Sequence, residues 1–283
     1  MNNLRIGKPF GINTYVHWSF WLLPGFVLLS GLASGGMPMA VLDTAVILAI
    51  FGCVALHELG HALAARQYGV RTRDIVLYPI GGVARLERIP RKPSAEIAIA
   101  LAGPAVNVAI VALLVALMTL DGYNVLQLSR YPSVLELFWT KVLWANVALA
   151  VFNLIPAFPM DGGRVLRALL ATVTRREKAT EIAATVGTGF AILFGVGAVP
   201  IVGWFSPMMF VLAVFLFLTG QAELRSVREE EEHRYWNNTS PGFFAQRESV
   251  PVAHRADGWE YDPQSKHWTY WLHGQPVRRF AAN

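Results

Sequence analysis

Apolar runs close to the length of a bilayer crossing recur along this chain, at residues 15–33, 43–66, 96–119, 137–155, 180–200 and 204–220. A helix needs about 20 apolar residues to cross the hydrocarbon core. Within that core every backbone N–H and C=O must be paired inside the protein, which leaves few spanning structures beyond helices. The sequence therefore predicts an all-α polytopic membrane protein with about six transmembrane helices. Composition agrees, with 54% hydrophobic and 15% charged residues, against about 25% charged in soluble domains. The first run carries Trp18, Trp21 and Pro24 and no A-x-A site, so it reads as a span and not as a cleavable signal peptide.

Basic residues set the expected topology. Residues 67–95 hold Arg71, Arg73, Arg85, Arg88, Arg91 and Lys92, and a later group is Arg164, Arg167, Arg175, Arg176 and Lys178. Both groups read as cytoplasmic, while residues 120–136, with Arg130 alone, read as the outer side. Six spans then put both termini in the cytoplasm, in the cell membrane of a prokaryote. The net charge of +5 belongs to these loops and is a topology signal, so the partners expected are the lipid bilayer and no nucleic acid. The two sequons at Asn237 and Asn238 fall on the cytoplasmic side, where they stay unused. The one cysteine, Cys53, excludes an intrachain disulfide. Oligomeric state is open.

Near the end of the second run stands His57-Glu58-Leu59-Gly60-His61. On a helix, positions i and i+4 share a face, so both imidazoles reach one metal ion. Glu58 can act on a water as general base without being a ligand. Ionisable groups at membrane depth are costly and mark function. The fourth run stops at Pro156 and leads into Ala157-Phe158-Pro159-Met160-Asp161-Gly162-Gly163-Arg164. Two prolines and two glycines break the helix, and irregular backbone at this depth lines a protein site. Asp161 is thus the candidate site carboxylate, at the same expected depth as His57 and His61. Two His and one carboxylate with a fourth position open make the ligand set of a catalytic zinc site, one Zn²⁺ per chain. Asn107, in the third run, reads equally as a helix-packing hydrogen bonder or as a wall of the site. Asn107 and Asn153 are candidate contributors to oxyanion stabilisation.

Two β-prone runs flank Pro79 and Gly81-Gly82, which predicts a short membrane-associated β-hairpin or sheet between the second and third spans. Beside the candidate zinc site, its exposed edge could hold an extended peptide. Composition changes at residue 221. A membrane-embedded domain over 1–220 and a cytoplasmic tail over 221–283 are expected. The tail opens with the charge run Arg228–Arg234, and residues 258–272 predict an aromatic hairpin around Asp262-Pro263-Gln264-Ser265.

The His57–His61 pentapeptide together with Asn153-Leu154-Ile155-Pro156-Ala157-Phe158-Pro159-Met160-Asp161-Gly162 resembles the paired signature of the site-2 protease family of intramembrane zinc metalloproteases. Gly81-Gly82 and Gly103-Pro104 with Asn107 are also similar to that family, and the likeness covers about residues 10–220. The resemblance implies that His57, His61 and Asp161 bind zinc, that Glu58 is the catalytic base and that Asn153 lies near the substrate. It implies cleavage within a membrane-spanning segment of another protein. The outer loops are too short for an inserted PDZ domain and the tail is too short for a CBS pair, which marks a compact type. Two other readings compete with it. A polytopic metal transporter would need polar groups through the whole bilayer, and a catalytically inactive scaffold would have no need of Glu58.

Overall fold

The computed structural model describes residues 3–87, 90, 92–123, 133–202, 207–239, 258–263, 267–272 and 275–281. Arg88, Arg91 and Arg130, counted among the loop charges, Gly203, between the fifth and sixth apolar runs, and Gln264 and Ser265 of the expected aromatic hairpin lie outside them. The chain divides into two compact units, Met1–Arg228 and Glu229–Asn283.

The first unit is mostly helical. Its helices are α1 (Leu22–Ser34), α2 (Gly36–Gln67), α3 (Pro93–Leu120), α4 (Val134–Asn153), α5 (Asp161–Leu170), α6 (Arg176–Val202) and the start of α7 (Pro207–Thr239). Among the described residues, α2, α3 and α4 are long and apolar enough to cross a membrane. Even the 20 residues of α4 extend about 30 Å at 1.5 Å per residue. Ser133 caps α4 by accepting the Glu136 N–H at 3.0 Å, the start signal encoded in its S-x-x-E pattern. Leu42 and Val46 of α2, Leu114 and Met118 of α3, and Val142 and Leu143 of α4 form one buried cluster. That cluster holds together the three helices carrying His57, Asn107 and Asn153.

The first expected span needs correction. Residues 14–17 are a strand and Trp18–Trp21 a 3₁₀ turn, which leaves only 13 residues for α1. The reason is pairing: Thr14, Tyr15 and Val16 lie parallel to Ile75, Val76 and Leu77, with Thr14 and Val16 buried on alternate positions. The strands β1 (Asn3–Gly7), β2 (Thr14–His17), β3 (Thr72–Tyr78) and β4 (Gly81–Leu86) form one sheet in that order. The β3–β4 hairpin falls where Pro79 and Gly81-Gly82 predict a turn, but it is half of a four-stranded sheet that the N-terminal residues complete. Arg85 of β4 grips Asp74 of β3 through two hydrogen bonds of 2.5 and 2.6 Å. The bonded Asp74 carboxylate raises the Arg85 guanidinium above its ordinary value, so the pair stays ionic wherever Asp74 is charged. Residues 34–42, between the first two apolar runs, contain only a kink at Gly35 and Gly36 (φ 75°), and α2 begins there and not at residue 43. Pro200, the last residue of the fifth apolar run, lies within α6.

Two arginines that the sequence placed among loop charges sit elsewhere. Arg167 of α5 is 0% exposed. It pairs with Glu96 of α3 and Glu223 of α7, while Arg176 of α6 reaches Glu96 at 3.1 Å. The Arg167 guanidinium also stands 5.2 Å from the centre of the Phe158 ring. Two cations and two anions thus join four helices.

The charge run Arg228–Arg234 is helical, a continuation of α7. In the second unit, β5 (Gly258–Asp262), β6 (His267–Leu272) and β7 (Gln275–Ala281) make an antiparallel sheet in that order. The expected hairpin is present and has a third strand beside it. Trp259 faces Tyr270 and Tyr261 faces Trp268 across β5 and β6, with ring centres 5.1 Å apart in both pairs.

Candidate metal centre

His57 and His61 lie one turn apart on α2 with their Nε2 atoms 3.0 Å from each other. Asp161 Oδ2 approaches the same point, 3.3 Å from His57 Nε2 and 3.1 Å from His61 Nε2. All three residues are buried. Asp161 is the first residue of α5, directly after the broken segment that follows α4. The glycines behind it allow that approach. A Cβ on Gly163 would lie 2.7 Å from the Ala157 carbonyl carbon and the Phe158 nitrogen, so only glycine lets α5 start this close to the preceding turn.

Each imidazole is turned by a partner on its far side. His57 Nδ1 is 2.6 Å from Asn107 Oδ1, and His61 Nδ1 is 2.7 Å from the Ile99 carbonyl oxygen. Both partner oxygens only accept, so each Nδ1 carries a proton, which leaves each Nε2 as the nitrogen that can coordinate an ion at the shared point. Asn107 in turn donates Nδ2 to Asn146 Oδ1 at 2.9 Å. Asn146 was not singled out from the sequence. The available signal was its position seven residues before Asn153 in the apolar run of α4, two turns back on the same face.

Three observations test whether a metal fits. Asp161 Oδ2 is buried without a hydrogen-bond partner, an arrangement that is costly unless a cation completes it. The ligand atoms of His57, His61 and Asp161 all lie within 4.8 Å of one another. Gly103 of α3 walls the same space, where a Cβ would lie 2.6 Å from His57 Nε2. Two imidazoles and a carboxylate are a three-ligand set for zinc that keeps a fourth position open. The residues present fit the ion.

Glu58 is half-buried beside this group. Its Oε2 accepts the Ala84 N–H of β4 at 2.8 Å. Gly82 allows the strand to pack there, since a Cβ would come within 2.7 Å of Glu58 Cγ. Asn153, at the end of α4, donates Nδ2 to the Leu149 carbonyl oxygen at 2.9 Å, within its own helix. Asn107 contacts the His57 ring from behind, so among the described hydrogen bonds it acts on that ring.

The family model of Peptidase family M50 matches residues 45–135 and 129–195. A zinc metalloprotease of Methanocaldococcus jannaschii is 36% identical over 231 residues, which are 81% of this chain and 62% of that protein. A putative zinc metalloprotease of Synechocystis is 38% identical over 68% of this chain and 51% of its own length. The chain thus spans between about half and two thirds of these curated relatives. Among solved structures, the site-2 protease from Methanocaldococcus jannaschii superposes with a TM-score of 0.52 at 31% identity, covering 79% of this chain and 95% of that one.

Proposed function

This chain belongs to peptidase family M50, and from that premise we propose that it is an intramembrane zinc endopeptidase. Its substrate is a transmembrane segment of another protein, in which it hydrolyses a peptide bond. The observation that carries this reading is the convergence of His57 Nε2, His61 Nε2 and Asp161 Oδ2 beside Glu58.

His57, His61 and Asp161 would hold the ion, and Glu58 is the base. When bound, zinc supplies Lewis acidity and lowers the pKa of a water to about 7. Glu58 takes a proton from the attacking water and passes it to the leaving amine, so that one O–C bond forms as one C–N bond breaks. Asn153 is assigned to the substrate side, where its amide is free to leave Leu149 for a developing oxyanion; Asn107 acts through His57. The Ala84 N–H goes to Glu58 and not to β3, so the free edge of β4 runs along the catalytic carboxylate. A helical peptide bond is shielded and hydrogen-bonded, and an unwound segment paired with this edge would lie extended next to Glu58.

We assign six spans, with α1, α6 and α7 joining the three longer apolar helices. Trp18–Ser34 is apolar though short, and α6 and α7 have 27 and 33 residues. Arg66, Arg71, Arg73 and Arg85 support a cytoplasmic position for the sheet and, with six spans, for both termini. Residues 1–220 are then the membrane-embedded catalytic part and 221–283 a cytoplasmic tail, in the cell membrane of a prokaryote. Neither the transporter nor the scaffold reading has an observation in its favour among the described residues.

The test is cleavage of a transmembrane reporter by the purified, zinc-loaded protein. Glu58→Gln is expected to retain zinc and lose at least about 100-fold in rate, the scale of a general base. Cleavage at the original rate by the Glu58→Gln variant refutes the assignment.

A further inference from the structure

Behind His57 runs a row of side-chain amides whose direction is set far from the ion. Its anchor is the Val142 carbonyl oxygen of α4, which can only accept. Asn146 donates Nδ2 to it at 2.9 Å, and the same NH₂ reaches Cys53 Sγ at 3.3 Å. Asn146 must therefore turn Oδ1 toward Asn107, and Asn107 must meet it with Nδ2, at 2.9 Å. This leaves Asn107 Oδ1 for His57, 2.6 Å from Nδ1. An amide oxygen cannot donate, so His57 carries its proton on Nδ1 and presents the Nε2 lone pair. Reversing the row would set Asn146 Oδ1 against the Val142 oxygen and give His57 the tautomer with Nε2 protonated. Asn107 and Asn146 are each 0% exposed, so no solvent can re-pair a reversed amide.

We propose that Asn146 is a positioning residue of the metal centre, which fixes the orientation of the Asn107 amide and through it the metal-competent tautomer of His57. The proposal rests on reading His57, His61 and Asp161 as the ion's ligands. Asn146 touches neither the ion nor the substrate. It transmits the polarity of one backbone carbonyl on α4 to a ring on α2 by way of α3. His61 needs no such relay because its Nδ1 meets a backbone carbonyl directly, that of Ile99 at 2.7 Å.

The experiment measures zinc affinity of the full chain in detergent by competition with a chromophoric chelator, together with thermal unfolding of the metal-free protein. Asn146→Leu is expected to weaken zinc binding by about 10- to 100-fold, the range for outer partners of metal-bound histidines. Asn146→Thr, whose hydroxyl can still bond Val142 but is too short to reach Asn107, is measured beside it and is expected to lose affinity likewise. The decisive comparison uses Asn107→Asp, whose carboxylate offers His57 an acceptor whichever way it turns. In that background Asn146→Leu or Asn146→Thr is expected to change zinc affinity by less than about twofold. An equal loss in both backgrounds would mean that Asn146 merely packs the helices, and the proposal is overturned. Wild-type affinity in the single variants overturns it as well. Failure of the underlying reading has a different signature, namely unchanged zinc affinity in His57→Ala.

Discussion

Gly103→Ala places a single methyl group where the candidate ligands His57 and His61 meet. An ideal Cβ on Gly103 lies 2.6 Å from His57 Nε2 and 2.5 Å from His61 Cε1. Non-bonded heavy atoms settle near 3.5 Å, so one or both rings must retreat by about 1 Å. Ligand positions in metal sites are held to about ±0.2 Å, and the rings have little freedom because Asn107 and Ile99 fix them from behind. Zinc Kd is therefore expected to rise at least about 100-fold, or about 2.8 kcal/mol at 1.4 kcal/mol per factor of ten. Chelator competition on the detergent-purified protein reads this directly. Gly52→Ala is the control, since its Cβ would meet nothing within 4 Å, and its zinc affinity is expected to stay that of the wild type. A Gly103→Ala protein that binds zinc within about threefold of wild type would refute the reasoning that this glycine is a wall of the site.

Arg167→Met leaves Glu96 with Arg176 alone and strips Glu223 of its buried partner. Breaking a buried ion pair from one side costs about 3–5 kcal/mol. Glu223→Gln is expected to cost less because its side chain is 29% exposed, and denaturant unfolding of the two variants checks the order. Gly82→Val would press a side chain onto Glu58 Cγ, 2.7 Å from the ideal Cβ. The expected result is a fall in kcat with zinc affinity kept, measured by reporter cleavage and chelator competition on the same preparation.

Much of the site was legible because its residue types are costly where they stand. His57, Glu58, His61 and Asp161 are ionisable groups within or beside apolar runs, and the i, i+4 spacing needs only helix geometry to put both imidazoles on one face. The break at Pro156 and Pro159 marked the element that carries Asp161. The first span misled for an equally physical reason. Thr14–His17 is continuous with an apolar stretch, and what makes it a strand is a partner, β3, more than fifty residues later. Arg167 was assigned to the cytoplasmic loops by charge alone, whereas its burial depends on Glu96 and Glu223, which lie in other helices.

By itself the sequence determined what local chemistry can determine: a helical membrane protein, a pair of histidines on one helix face with a carboxylate beside the first, and a second carboxylate at a forced break. Periodicity, hydropathy and proline act over a few residues, so one chain read in order suffices for them. Only the tertiary structure decided that Asp161 Oδ2 comes within 3.3 Å of both Nε2 atoms, that β4 lies against Glu58, and that Asn146 stands behind Asn107. Those are distances between elements far apart in the chain, and they follow from how α2, α3, α4 and α5 pack. The glycines show the same division. Gly82, Gly103 and Gly163 are visible in the sequence as flexible positions, but what each makes room for is another segment's atoms.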